Sequence, residues 1–122
     1  MRVLLVDDET EFVTTLAERL SFRGFKVDYA IRAVDALALA EKNVYDLAVL
    51  DMKMPGSSGL ELKSQLEKIQ KDLKYIFLTG HGSEADYTAG SSASACYLIK
   101  PIKIDLLIAK MHEAVKSQGV CT

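Results

Sequence analysis

The chain has 122 residues, 49 % of them hydrophobic and 26 % charged, with a formal net charge of −2. That is one domain with enough apolar residues for one packed core, and its mild acidity argues against nucleic acid or anionic membrane as a direct partner. Cys96 and Cys121 lack C-x-x-C spacing, which argues against a disulfide framework or a zinc site and suits a reducing, cytoplasmic compartment, and no apolar run approaches membrane-spanning length.

Short apolar runs alternate with amphipathic stretches. The first run, Val3–Val6, meets acids at Asp7, and its flank is too short for a signal peptide, so the mature chain is expected to start at Met1. A helical stretch follows, with Phe12, Leu16 and Leu20 on one stripe and Gly24 as a C-cap. The second run is Phe25–Tyr29, followed by a weaker stripe of Ala33, Leu37 and Ala40. The third is Leu47–Leu50. Pro55, Gly56 and Gly59 mark Met54–Gly59 as a loop, and Ser58 with Glu61 has capping-box spacing at the start of a third helix. The fourth run is Tyr75–Leu78. The segment Ser83–Ala95 has little apolar periodicity, a glycine and four serines, so a short or irregular helix is expected there. The fifth run, Cys96–Ile99, precedes a last helix with Ile104, Leu107, Ile108, Met111 and Val115 on one face. Cys96 reads as a buried thiol, and Ser117–Thr122 as a frayed tail containing Cys121. Nearly continuous apolar strands separated by helices predict an α/β fold, an open parallel sheet of five strands with five helices on its two faces.

In such sheets ligands bind beyond the carboxyl ends of the strands. The first strand ends in Asp7-Asp8, the third in Asp51, the fourth in Thr79-Gly80 and the fifth in Lys100-Pro101. The second ends in Ala30 and Ile31, which carry no chemistry. Three carboxylates, a hydroxyl and an ammonium therefore converge on one rim. Two unit charges about 4 Å apart repel by roughly 4 kcal/mol at an effective dielectric near 20, so the acids need neutralising. Lys100 offsets part of the repulsion, and a hard dication such as Mg²⁺, completed by water and a phosphoryl oxygen, offsets more. A carboxylate in such a place can act as a nucleophile toward phosphorus, with the cations neutralising phosphoryl oxygens. Each residue taken singly has a plainer reading. Asp7 and Asp8 could favour the positive end of the first helix, Asp51 could cap a turn, Thr79 could be an ordinary strand residue, and Lys100 could be a solvated lysine. It is their joint placement at four of five strand ends that points to a site.

Over essentially its whole length the chain resembles the receiver domain of two-component response regulators. The matching pieces are Val3-Leu4-Leu5-Val6-Asp7-Asp8-Glu9, Asp46-Leu47-Ala48-Val49-Leu50-Asp51-Met52-Lys53-Met54-Pro55-Gly56, Leu78-Thr79-Gly80-His81-Gly82 and Tyr97-Leu98-Ile99-Lys100-Pro101. The resemblance implies a flavodoxin-like doubly wound sheet of strand order 2-1-3-4-5, over residues 1–118 with a short tail after them. It implies Asp51 as phosphoacceptor and Mg²⁺ bound by Asp51, by Asp8 directly, by Asp7 largely through water and by the backbone carbonyl of Lys53. It implies Thr79 and Lys100 on the phosphoryl group, with Gly80 leaving space beside it. The Lys100–Pro101 bond would be cis, Tyr97 would be the aromatic switch, and the side chains of Lys53 and His81 would tune dephosphorylation. The implied partners are a histidine kinase or phosphotransfer protein as donor, an effector domain or downstream protein, and a second copy across the face of the fourth and fifth helices. Ser94-Ala95 stands where the family usually has Gly-Ala, in a region that such domains use for output. Two rivals remain. A receiver-fold interaction module would signal without phosphate, and an aspartate-nucleophile phosphatase would need a second acid where this chain has Lys53.

Overall fold

The computed structural model describes residues 1–54, 56–80 and 96–116, apart from the side chains of Ser57 and Cys96. The predicted helix over Ser83–Ala95 and the tail with Cys121 lie outside these residues, as do Pro55, His81 and the thiol of Cys96.

Strand β1 (Arg2–Val6) explains why the run Val3–Val6 is apolar without a break. Side chains alternate between the two faces of a strand. Val3 and Leu5 enter one core with Val13, Leu16 and Leu20 of α1 (Thr10–Phe22) and Leu107 and Met111 of α4 (Ile104–Lys116). Leu4 and Val6 enter a second core with Ala36 and Ala40 of α2 (Ala33–Lys42) and Leu62 and Leu66 of α3 (Gly59–Ile69). Each fully buried leucine contributes roughly 1.5–3 kcal/mol, and both faces of the strand collect it.

The other strands of the sheet are β2 (Lys26–Ala30), β3 (Leu47–Asp51), β6 (Lys74–Thr79) and β7 (Cys96–Ile99). All neighbours run parallel in the order β2-β1-β3-β6-β7. Counting only these five strands, that is the expected 2-1-3-4-5. The fold is the doubly wound α/β architecture predicted from the alternation. The registers Val6↔Leu50, Asp51↔Leu78 and Thr79↔Ile99 bring four strand ends to one rim.

The stop after α1 is a Schellman arrangement. Phe25 N–H donates to the Leu20 carbonyl at 3.2 Å and Gly24 N–H to that of Ser21 at 3.1 Å, and Gly24 takes a φ of +90°. Ser58 caps α3 by accepting from Glu61 N–H at 3.1 Å.

The segment after β3 departs from the expected plain loop. Lys53–Met54 (β4) and Ser57–Ser58 (β5) form a two-residue antiparallel ribbon, with Gly56 at φ +79° in its turn. Gly59 is not loop punctuation but the first residue of α3, and its reason is steric. A Cβ there would sit 2.6 Å from the Asp51 carbonyl oxygen.

A candidate phosphoryl-transfer site at the strand ends

Asp7 reconciles two readings of the first strand end, because its two oxygens face different ways. Oδ1 accepts the Glu9 N–H at 2.9 Å, a local turn that launches α1. Oδ2 is buried and meets the Lys100 ammonium at 2.6 Å as a close ion pair. Asp8, by contrast, is exposed and lines a cleft of about 250 Å³ together with Asp51, Thr79 and Lys100. Asp7, Asp8 and Asp51 each offer an oxygen within 4.8 Å of the others. At that separation each pair of charges repels by roughly 3–4 kcal/mol at an effective dielectric near 20.

Asp51 itself is 6 % exposed. Burial pushes its carboxyl up from 3.8 to about 6, the Asp7 charge adds to the rise, and a hydrogen bond with Asp8 adds a smaller push. The Lys100 charge and the Lys53 N–H, which donates to Oδ1 at a long 3.4 Å, pull the other way. The carboxyl therefore sits in a site that disfavours its charge, the setting in which functional acids are commonly found.

Lys100 is placed by the β6–β7 pairing, where its N–H donates to the Thr79 carbonyl at 2.8 Å. The Lys100–Pro101 bond is cis. Its ammonium lies 2.6 Å from Asp7, 2.8 Å from Glu9 and 4.0 Å from Asp51, and 4.6 Å above the Phe12 ring. Burial pulls this ammonium down, but the close contacts with Asp7 and Glu9 and the charges of Asp7 and Asp51 outweigh it, and the net direction is up. Lys100 is charged at any ordinary pH.

Thr79 is buried at the end of β6, and Gly80 beside it is exposed, with no atom of the described residues within 4 Å of where a Cβ would stand. Lys53 is exposed on the cleft rim. Tyr97 is half-buried and stacks on Phe77 with ring centroids 5.0 Å apart, and burial raises its hydroxyl to about 12. The structure thus brings Asp7, Asp8, Asp51, Lys53, Thr79, Gly80 and Lys100 together, with Tyr97 one layer away and Pro101 on the adjoining turn.

Sequence reasoning missed Glu9 and Phe12 as partners of Lys100. The only signal for them was local. Residues three apart at a helix start share a face, and this face opens on the end of the fifth strand.

Among known proteins, residues 3–112 match the family model for the response regulator receiver domain. The response regulator MprA of Mycobacterium sp. (strain KMS) is 38 % identical over 117 residues, which cover 95 % of this chain and 51 % of that protein. The chain spans about half the length of the curated relatives it matches. A CheY-like receiver domain protein from Methanospirillum hungatei JF-1 superposes with a TM-score of 0.87 at 32 % identity, covering 96 % of this chain and 94 % of that one. A response regulator from Burkholderia pseudomallei, solved with a phosphorylated aspartic acid, a calcium ion and citrate, superposes with a TM-score of 0.83 at 30 % identity, covering 95 % of this chain and 69 % of that one. The strand-end cluster, the sheet order and these likenesses agree, and the chain belongs to the response regulator receiver domain family, the phosphorylation-dependent signalling module of two-component systems.

Proposed function

We propose that Asp51 is the phosphoacceptor of this receiver and that a histidine kinase or phosphotransfer protein is its donor. The observation that carries the reading is the shared cleft of Asp8, Asp51, Thr79 and Lys100. An Asp51 carboxylate oxygen forms a bond to phosphorus as the phosphorus–nitrogen bond of a phosphohistidine breaks, and the electron pair returns to the imidazole. Thr79 donates its hydroxyl to one phosphoryl oxygen, and Lys100 neutralises another. Attack by water on the aspartyl-phosphate later resets the domain, with Lys53 at the rim of the cleft tuning the rate and His81 as a second tuning residue.

The residues fit a divalent cation. Three carboxylates offer hard oxygen ligands within 4.8 Å, and the exposed Asp8 opens on the cleft beside Asp51. Asp8, Asp51 and the Lys53 carbonyl would hold Mg²⁺, with Asp7 acting largely through water. When bound, the ion neutralises charge on the transferring phosphoryl group. The Burkholderia relative, with its phosphorylated aspartate and calcium ion, supports this reading.

The domain is an acceptor rather than a turnover enzyme, since the exposed ammonium of Lys53 stands where an aspartate-nucleophile phosphatase needs a second acid. Partners beyond the donor are an effector domain or downstream protein in a cytoplasmic pathway, and a second copy. Exposed Ile99 and Leu106 support a dimer face along β7 and α4. Incubation with acetyl phosphate and Mg²⁺, followed by intact-mass and peptide analysis, tests the central claim. One phosphoryl group is expected on Asp51 and none in Asp51→Asn. An unmodified protein, under conditions in which a known receiver reacts, would overturn it.

A further inference from the structure

We infer that Glu9 is a positioning residue that holds Lys100 withdrawn from Asp51 and so sets how readily Asp51 takes up a phosphoryl group. The inference rests on Asp51 being the acceptor.

The geometry is specific. The Lys100 ammonium is 2.6 Å from Asp7 and 2.8 Å from Glu9, but 4.0 Å from Asp51, beyond hydrogen-bond distance. The ring of Phe12 supports it from below at 4.6 Å. Two acids at the start of α1 and an aromatic ring one turn along it thus grip a cation that arrives on a strand 91 residues later. To reach a phosphoryl oxygen on Asp51, the ammonium must give up one of the two carboxylates.

The exposures decide which. The Asp7 side chain is 3 % exposed, whereas the Glu9 side chain is 63 % exposed and is readily resolvated when released. The contact with Glu9 is therefore the one that breaks, and Asp7 remains the pivot. An exposed pair of this kind biases an equilibrium by about two- to fivefold. Glu9 accordingly adjusts the rate without deciding whether the reaction occurs. A merely structural role does not predict this, because a lost stabilising contact would slow uptake or leave it unchanged, while a lost restraint speeds it.

The test compares wild type with Glu9→Gln, which keeps the shape, and with Glu11→Gln, which removes an equal charge from an exposed neighbour. Glu9→Ala serves as a second probe, and far-UV circular dichroism confirms that each variant folds. In metal-free protein, the Lys100 ammonium signal in ¹⁵N-lysine NMR, identified by its loss in Lys100→Met, is expected to shift and exchange faster in Glu9→Gln and to stay in place in Glu11→Gln. At saturating Mg²⁺, uptake of phosphoryl from acetyl phosphate is expected to rise about two- to fivefold in Glu9→Gln and Glu9→Ala over the Glu11→Gln control. An unmoved lysine signal, a rate at or below wild type, or an equal rise in Glu11→Gln overturns the inference. A wild-type protein that takes up nothing fails the acceptor reading itself, whereas wild-type uptake with unresponsive Glu9 variants fails the restraint alone.

Discussion

Replacing Asp51 by asparagine removes the proposed nucleophile, and in the metal-free protein it is also expected to stabilise the fold. The folded carboxyl keeps its proton up to about pH 6, while the unfolded one releases it near 3.8. Between those values the folded state binds the extra proton, so stability declines as pH rises through the window. Every tenfold difference in proton affinity between the two states is worth about 1.4 kcal/mol, which sets a ceiling near 3 kcal/mol, and water in the open cleft screens part of it. Asp51→Asn keeps the shape and mimics the protonated form. Its advantage over wild type should therefore be close to zero near pH 4 and reach about 1–3 kcal/mol at pH 7.5, a rise in midpoint of roughly 3–12 °C for a domain of this size. Urea and thermal unfolding followed by far-UV circular dichroism in chelator suit the measurement, since the chain has no tryptophan. An asparagine variant less stable than wild type at pH 7.5, or an advantage that does not grow between pH 4 and 6, would refute the electrostatic account of the cleft.

Added Mg²⁺ should stabilise wild type by the mass-action amount for a site in the folded state alone, and chelation should reverse it, while Asp8→Asn should largely lose the effect in the same melts. Gly59→Ala should cost about 1–3 kcal/mol, because the new Cβ drives against the Asp51 carbonyl at 2.6 Å, and it should also slow acetyl phosphate uptake, while Gly80→Ala, which meets none of the described residues, should leave stability within about 0.5 kcal/mol. Gln70→Ala should cost about 1–3 kcal/mol in urea unfolding, since Gln70 accepts from Tyr45 N–H at 2.9 Å and donates to the Ala40 and Asn43 carbonyls at 2.7 and 2.6 Å, and it should leave phosphoryl uptake unchanged because it sits away from the cleft.

The parts of this molecule that were legible in sequence are those governed by local periodicity. Val3–Val6 and Leu47–Leu50 had to be strands covered on both faces, and a parallel sheet then forces Asp7, Asp51, Thr79 and Lys100 onto one rim. From their position at a strand end Asp7 and Asp8 were legible only as a pair, and it was the family resemblance that implied different roles for them. Only the fold shows that Asp7 turns one oxygen to the Glu9 amide and one to Lys100 while Asp8 faces the cleft. The β4–β5 ribbon escaped notice because two-residue strands carry no repeat to detect. Gly59 looked like one more turn residue, since close approach of a backbone leaves no mark except the glycine itself. The contact of Glu9 with Lys100 and the bonds of Gln70 join distant stretches of chain, and no spacing rule reaches across them.

The Lys100 contacts also have a bearing on the protein's synthesis. Asp51 leaves the ribosome long before the residue that completes its surroundings. Until the final strand pairs with Thr79, the emerging polypeptide carries the acids of the rim without the cation that balances them. A half-made chain therefore carries Asp51 without its pocket, and on the proposed role of Asp51 the competence to accept a phosphoryl group arrives only with the final strand. If Asp51 is the acceptor proposed above, the same dependence makes phosphoryl acceptance a report on the integrity of the fold, because truncation before the final strand removes Lys100 and leaves the acids uncompensated.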